Sequence, residues 1–266
     1  MVINVKGENS QLFAEERKER ILELLEENSK ILVPELSELF EVSQVTIRGY
    51  LRDLEGEGKL RRTHGGAIPV GKSGDEPDSM RKAVEHIAEK QRIAAAAAAL
   101  VDDGDVVALD TGTTTLELAK ALSPKKHLTI VTNDLKIASF MEDGSDASIL
   151  LIGGALRRGF HCTTGPMAIA AFKGINADVV FVAANGFSLD HGFSTPSVDH
   201  AEMKRTLMGM ASRCIMVMDS SKIGRVSLVS FAAPRDIDRL ITDSGIGMSV
   251  TEAIEAQSDN LELLIV

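Results

Sequence analysis

The densest grouping of residues able to do chemistry is Asp110-Thr111-Gly112-Thr113-Thr114-Thr115, directly after the apolar run Val106–Leu109 and before the amphipathic stretch Leu116–Leu122. That order predicts a strand, a tight turn and a helix N-terminus, which together suit an anion. Gly112 lets the backbone turn, the following amides point out of the helix, and the hydroxyls of Thr113, Thr114 and Thr115 add donors for a phosphate. The same threonines can equally be caps that serve only the helix they begin.

Other polar groups stand at the ends of strand-like runs, which in an open parallel sheet line one crevice. They are Thr132-Asn133, Gly153-Gly154, Ala184-Asn185-Gly186 and Asp219-Ser220-Ser221-Lys222. Asn133 and Asn185 are read as partners for sugar hydroxyls, and Lys222 as a point charge for phosphate. Arg157 or Arg158 is read as closing over a ligand from the Gly153-Gly154 loop. Against these roles stand plainer ones: an Asn at a turn, and an arginine pair on a solvated loop.

A second chemistry lies nearer the N-terminus. Ser43 is read as the N-cap of a helix whose Ile47, Leu51 and Leu54 form one buried stripe, leaving Gln44, Thr46, Arg48, Gly49 and Arg52 outward. A shorter helix from Pro34 to Phe40 precedes it across the tight turn Glu41-Val42-Ser43, the helix-turn-helix order in which the third helix enters the major groove. Lys59, Arg61, Arg62 and His64 follow on an expected hairpin, Lys59–Ala67, turned by Gly65-Gly66; its targets would be phosphates and the minor groove. The plainer alternative is a small three-helix packing domain with a basic solvated edge.

The elements that must position these groups divide the chain. Residues 12–70 are expected to form a winged helix-turn-helix, 71–79 (largely GKSGDEPD) a linker, and 80–266 an α/β domain. An acid-rich amphipathic helix, Ala14–Asn28, opens the first. In the second, Val106–Leu109, Leu128–Thr132, Ile149–Ile152, Val179–Ala184, Ile215–Met218, Leu240–Thr242 and Leu261–Val266 are apolar runs of strand length, most of them separated by helical segments. They predict an open, mainly parallel, Rossmann-like sheet covered by helices. One helix over Met80–Leu100 is expected to lead into it.

The net charge of −10 runs against phosphate binding only if charge is averaged over the chain. Lys59, Arg61 and Arg62 stand without an acid between Gly58 and Gly66, while Glu15, Glu16, Glu19, Glu23, Glu26 and Glu27 crowd the first helix. The lack of Trp and the single Tyr50 argue against aromatic platforms for single-stranded nucleic acid. Cys162 and Cys214 follow no metal-ligand spacing, so neither a metal nor a cofactor is expected. No leader and no long apolar run suggest a membrane; a cytoplasmic protein is expected.

The stretch Glu16-Arg17…Ile21…Leu36…Val42-Ser43…Thr46-Ile47-Arg48…Leu51…Leu54…Gly58…Leu60-Arg61-Arg62-Thr63-His64-Gly65-Gly66-Ala67 resembles the N-terminal signature of the DeoR-type family of bacterial transcriptional regulators. The later part resembles that family's second domain through Asp110–Thr115, Thr132-Asn133, Gly153-Gly154…Leu156-Arg157…Gly165, Asp178…Asn185-Gly186, Lys204-Arg205 and Asp219–Arg225. The resemblance implies an operator-binding winged helix-turn-helix and a sensor domain folded like the sugar-phosphate isomerases. Three departures stand out: Gly49-Tyr50 where Arg-Asp is usual, Cys162 where a Ser is common, and His200 where a Glu commonly precedes Ala-x-x-Lys. Tyr50 can be a DNA contact or a packed core residue, and His200 joins the effector-binding candidates. The expectation is a repressor of carbohydrate-metabolism genes, a dimer or tetramer on double-stranded operator DNA, released by a phosphorylated sugar or related metabolite. The alternative is a sugar-phosphate isomerase with an accessory N-terminal module, casting Asp110, Asp199, His200 and Lys222 as its acid/base groups.

Overall fold

The computed structural model describes residues 13–28, 31–57, 59–63, 65–69, 79–256 and 261–266. His64 and the expected linker, apart from Ser79, lie outside them. The chain divides into two compact units, Met1–Lys72 and Ser73–Val266.

The first unit holds α1 (Ala14–Asn28), β1 (Ile31–Leu32), α2 (Val33–Leu39), α3 (Gln44–Gly56), β2 (Leu60–Arg62) and β3 (Gly66–Pro69). Pro34 sits in the first turn of α2, where its missing N–H costs no helix bond. Ser43 caps α3, accepting from the Thr46 amide at 3.1 Å. Ile47, Leu51 and Leu54 form the buried stripe of α3 and pack with Ile21, Leu25, Leu36, Phe40 and Leu60 in one core. The expected hairpin exists but is longer, pairing Leu60 with Pro69 and Arg62 with Ala67. Gly66 therefore lies in a strand, where it was expected to help turn the hairpin. The cause is β1, a third strand with Leu32 opposite Gly66. A Cβ on Gly66 would stand 1.8 Å from the Ile31 carbonyl oxygen, so only glycine lets the two backbones meet.

The second unit begins with α4 (Ser79–Val84) and α5 (Ile87–Ala98). The single helix expected over Met80–Leu100 is broken at His86, which takes left-handed geometry at φ 53°. The buried Lys90 ammonium donates to the carbonyls of Lys82 and Glu85, supplying partners for the end of α4. There follow β4 (Val106–Leu109), α6 (Thr113–Leu122), β5 (Thr129–Thr132), α7 (Leu135–Gly144), β6 (Ser148–Leu151), β7 (Ala155–Arg157), β8 (Cys162–Thr164), α8 (Pro166–Phe172) and β9 (Val179–Ala183). Then come β10 (Gly186–Ser188), β11 (Gly192–Thr195), α9 (Val198–Met208), β12 (Cys214–Val217), β13 (Val229–Ala232), β14 (Arg239–Thr242), α10 (Met248–Glu255) and β15 (Glu262–Ile265).

Seven of these strands form one parallel sheet in the order β15-β14-β12-β9-β4-β5-β6. They are the seven apolar runs of the sequence, each within a residue or so of its expected limits. Side chains alternate between two apolar layers. Ala108, Val180, Val182 and Met216 face α8 and α9, while Val107, Leu109, Phe181 and Val217 face α5, α6 and α7. Burial on both faces explains why the runs read as continuous apolar segments. Chain order runs outward from β4 to β5 and β6 on one side and from β9 to β15 on the other. The switch point is therefore between β4 and β9, the place where such sheets open a crevice at their carboxyl ends.

Replacing Gly66 with Ala is expected to destabilise the first unit by about 1–3 kcal/mol through backbone overlap with β1. Tyr50 is the sole tyrosine and no tryptophan is present, so tyrosine fluorescence during denaturant unfolding of the full chain reports on this unit alone. An unchanged midpoint would contradict the close approach.

Candidate functional site

Within the first unit, α3 presents Gln44, Val45, Arg48 and Arg52 to solvent. Gln44 Oε1 is 3.5 Å from the Arg48 guanidinium one turn on. Ser43 and Thr46 are engaged in the cap, their hydroxyls 2.9 Å apart. Tyr50, expected either to contact DNA or to pack, is half-buried against the core, with its hydroxyl 3.4 Å from Arg17 of α1. Its position on α3 flanks the buried stripe, which is the placing that packing requires.

The hairpin cations are less free than the sequence suggests. Lys59 pairs with Glu57 at 2.7 Å, which raises the lysine pKa through that hydrogen bond. Glu55 of α3 accepts from the Arg62 amide at 2.8 Å and lies 3.4 Å from its guanidinium, tying the wing to the helix. Arg61 stands opposite Ile68 in the hairpin ladder. Arg48 and Arg62 meet at a recess of about 350 Å³ between α3 and the wing, shared with Val33, Leu51, Glu55, Thr63 and Gly66. Two guanidinium groups on one recess beside an exposed helix face make a setting for a phosphate backbone.

In the second unit the switch point is closed by a buried ion pair. The Asp110 carboxylate, at the end of β4, accepts from the Lys204 ammonium of α9 and from the Ala183 amide at 3.0 Å. Lys204 also donates to the Ala183 carbonyl at 2.9 Å, and the two charged side chains are only 2% and 4% exposed. Charges so buried persist because each has a charged partner and further hydrogen bonds. Lys204 is a site residue that the patterns missed; only the family resemblance touched it.

The turn after Asp110 is built as expected up to a point. Gly112 precedes α6 at φ 155°, a conformation rarely adopted by other residues. Thr113 is half-exposed at the helix start, whereas Thr114 and Thr115 are buried, and the Thr115 hydroxyl is spent on the Gly112 carbonyl at 3.0 Å. The Thr115 hydroxyl thus donates back to the carbonyl of the residue before α6, which has no side-chain cap, and Thr113 is the most exposed of the three threonines. Asp134, the cap of α7, accepts from the Thr111 hydroxyl at 2.7 Å and from the Lys136 and Ile137 amides. Burial pushes its pKa up against those bonds.

Beside this turn stand groups from two further elements. His200, one turn before Lys204 on α9, is buried, and its Nε2 lies 3.6 Å from the Cys162 sulfur. The Cys162 thiol also meets Thr111, and burial pushes its pKa up to about 11, so it stays protonated at neutral pH. Arg157, from the β7–β8 hairpin, has its Nη1 3.3 and 3.4 Å from the two imidazole nitrogens and stacks 3.7 Å over the Phe160 ring.

The remaining candidates fall elsewhere. Asn133 is buried and donates to the Thr163 carbonyl at 2.7 Å; its Oδ1 has no hydrogen-bond partner among the described residues. Asn185 accepts from Thr195 at 3.1 Å. Gly153 and Gly154 lead the chain from β6 into the hairpin, Gly154 lying against Thr164 and Ala168. Lys222 joins a second charged group at the end of β12, two strands from β4. It is 3.7 Å from buried Asp219, and burial lowers its pKa. Burial also lowers the pKa of neighbouring Lys90 and Arg225. Asp219 is pushed upward by burial, but Lys222, Ser221 and the other nearby cations hold it below the usual carboxylate value.

The central geometry suits binding better than proton transfer. Asp110 is committed to Lys204, Asp134 caps a helix, and the one thiol is neutral. No group of three or more potential metal ligands occurs among the described residues.

A family model for a DeoR-like helix-turn-helix domain matches residues 17–72, and one for the DeoR C terminal sensor domain matches residues 85–244. The chain is 36% identical over 241 residues to the HTH-type transcriptional regulator GlpR of Haloferax volcanii, covering 91% of this chain and 94% of that protein. It is 33% identical to the HTH-type transcriptional regulator GolR of Listeria innocua, over 90% of this chain and 94% of that one. It is 35% identical to the transcriptional repressor AccR of Agrobacterium fabrum, over 87% and 90% respectively. Among solved structures, ribose 5-phosphate isomerase A of Methanocaldococcus jannaschii overlaps with a TM-score of 0.37 at 15% identity, covering 50% of this chain and 53% of that one. No helix among the described residues is long and apolar enough to cross a membrane.

Replacing Glu55 with Gln keeps an acceptor for the Arg62 amide but removes the charge that offsets its guanidinium. The dependence of duplex affinity on salt is expected to steepen by about one unit of log–log slope, as one more phosphate is neutralised. Fluorescence-anisotropy titrations across a salt series measure this; an unchanged slope would contradict Glu55 holding Arg62 back.

Proposed function

The chain belongs to the DeoR family of helix-turn-helix transcriptional regulators, and from that premise we propose that it represses carbohydrate-metabolism genes and yields its operator when a phosphorylated sugar or related metabolite binds. In this reading α3 enters the major groove with Gln44, Arg48 and Arg52, while the β2–β3 wing sets Lys59, Arg61 and Arg62 along phosphates. His64 is assigned to the same wing. The observation that carries the reading is the pairing of an outward, capped α3 with a basic wing tied to it through Glu55.

The ligand is placed at the ends of β4 and β9. The α6 amides with Thr113 take the phosphate, and Asp110, Arg157, Asn185 and His200 line the sugar. Asn133, Gly153 and Gly154 support this wall, and Lys222 supplies charge from the β12 end. Binding alters operator affinity only if the site differs between a DNA-competent and an incompetent arrangement. The reading carries this coupling inside the second unit through Phe160, which holds Arg157 on its ring and has the Lys82 ammonium of α4 5.6 Å from its centroid. A homo-oligomer on paired half-sites, working in the cytoplasm, completes the reading.

The isomerase alternative has little behind it. The similar full-length proteins are named as regulators, and the candidate acid/base groups are paired or far apart: Asp110 is held by Lys204 and Lys222 sits two strands away.

Replacing Arg48 with Ala is expected to cost about 1–3 kcal/mol of operator affinity and to relax sequence preference. A panel of sugar phosphates should weaken the wild-type complex in the same gel-shift or anisotropy assay. Full affinity in the variant, or indifference to every sugar phosphate, would count against the DNA-reading or the sensing half respectively.

A further inference from the structure

The centre of the outward face of α3 is apolar and bare. Ile47, Leu51 and Leu54 face the core, and at about 3.6 residues per turn the positions opposite them are Val45 and Gly49, one turn apart. Val45 is 75% exposed. The backbone does not require Gly49: its φ lies outside the left-handed region, and an added Cβ would meet nothing of the rest of the fold within 4 Å. Val and Gly both rank low as helix formers, with only Pro below Gly. Two helix-weakening residues thus stand in a row where packing asks for neither.

What they share is the outer surface they leave. A helical side chain leans toward the N-terminus and covers the turn before its own Cα, so any side chain in place of Gly49 would lie over Val45. Glycine there keeps the Val45 isopropyl group uncovered. The hydrogen-bonding groups gather to the sides. Gln44 and Arg48 adjoin on one flank, at 3.5 Å, while on the other Thr46 is engaged with Ser43 and Asp53 with Lys18 at 3.1 Å. An apolar centre with a Gln-Arg flank matches a groove edge that offers a methyl group beside acceptors. In the major groove, among the four standard bases, only thymine carries a methyl, at C5.

We propose that Val45, kept bare by Gly49, contacts the C5-methyl of a thymine in each operator half-site and so helps to determine which sequence this chain reads. The proposal rests on the reading in which α3 enters the major groove. It adds a base that hydrogen bonding by Gln44, Arg48 and Arg52 does not specify, read by exclusion of water from two apolar groups.

The test uses the full chain to select its preferred duplex from a random pool; each thymine of the selected half-site is then replaced, one at a time, with deoxyuridine, which removes only the methyl. Fluorescence anisotropy at fixed salt is expected to show one thymine per half-site whose replacement weakens binding about four-fold, the worth of one buried methyl. Val45→Ser should erase that difference, binding the two duplexes alike. Gly49→Gln, which covers Val45, should erase it too while raising the denaturation midpoint read by Tyr50 fluorescence, which separates the loss from unfolding. A selected half-site without thymine, methyl-free duplexes bound as tightly as their parent, or a difference that survives Val45→Ser would overturn the proposal and leave the major-groove placing of α3 standing. If the pool yields no preferred duplex, that placing itself fails, and the proposal with it.

Discussion

The Asp110–Lys204 ion pair is the constraint around which the second unit's site is organised. It joins the end of β4 to α9 and, through Ala183, to β9, so it spans the point where the sheet changes direction. Removing one partner of such a buried pair costs roughly 3–5 kcal/mol, because the other charge is left uncompensated. The pair also ties α9 to the sheet at a defined height. Lys204 and His200 are one helical turn apart on the same face, so fixing Lys204 fixes how deep His200 stands, and His200 in turn braces Arg157. The ion pair thus adds an electrostatic tie between β4, β9 and α9 to the apolar packing that seats α9 through Ala201, Met203 and Leu207.

The first unit solves a different electrostatic problem. The chain is acidic as a whole, yet its DNA-reading face must carry positive charge at close range to phosphate. Segregation supplies part of the answer, with carboxylates gathered on α1 and cations on α3 and the wing. The structure adds a restraint that composition hides: Glu55 and Glu57 each hold one wing cation. These exposed pairs contribute little to stability. Their weight is positional, since Glu55 fixes the wing against α3 through both the backbone and the side chain of Arg62.

Much of this was legible in the residues, for identifiable reasons. Strands buried on both faces read as unbroken apolar runs, so all seven strands of the parallel sheet could be found, along with the capped α3 stripe. The antiparallel pieces could not. The hairpin β7–β8 and the strands β10, β11 and β13 are no shorter than most strands of the parallel sheet by more than a residue, but they mix polar and small residues with apolar ones, so no unbroken apolar run marks them. Gly66 read as a turn residue because nothing local announces that β1 will pass beside it. Lys204 was invisible to pattern because its partner lies 94 residues away, and the burial of Thr114 and Thr115 depends on packing that the Thr-rich spelling does not reveal. The break at His86 is likewise accompanied by Lys90 donating to the carbonyls of Lys82 and Glu85, a contact that the helical pattern does not reveal.

Hydrogen exchange on the full chain, read by mass spectrometry with and without the phosphorylated sugars that weaken its operator complex, tests the central claim most directly. Ligand should slow exchange in the peptides carrying Asp110–Thr115, Arg157–Cys162 and His200–Lys204, the segments that meet at the switch point. Protection confined to other parts of the second unit, with these three unchanged, would contradict the account.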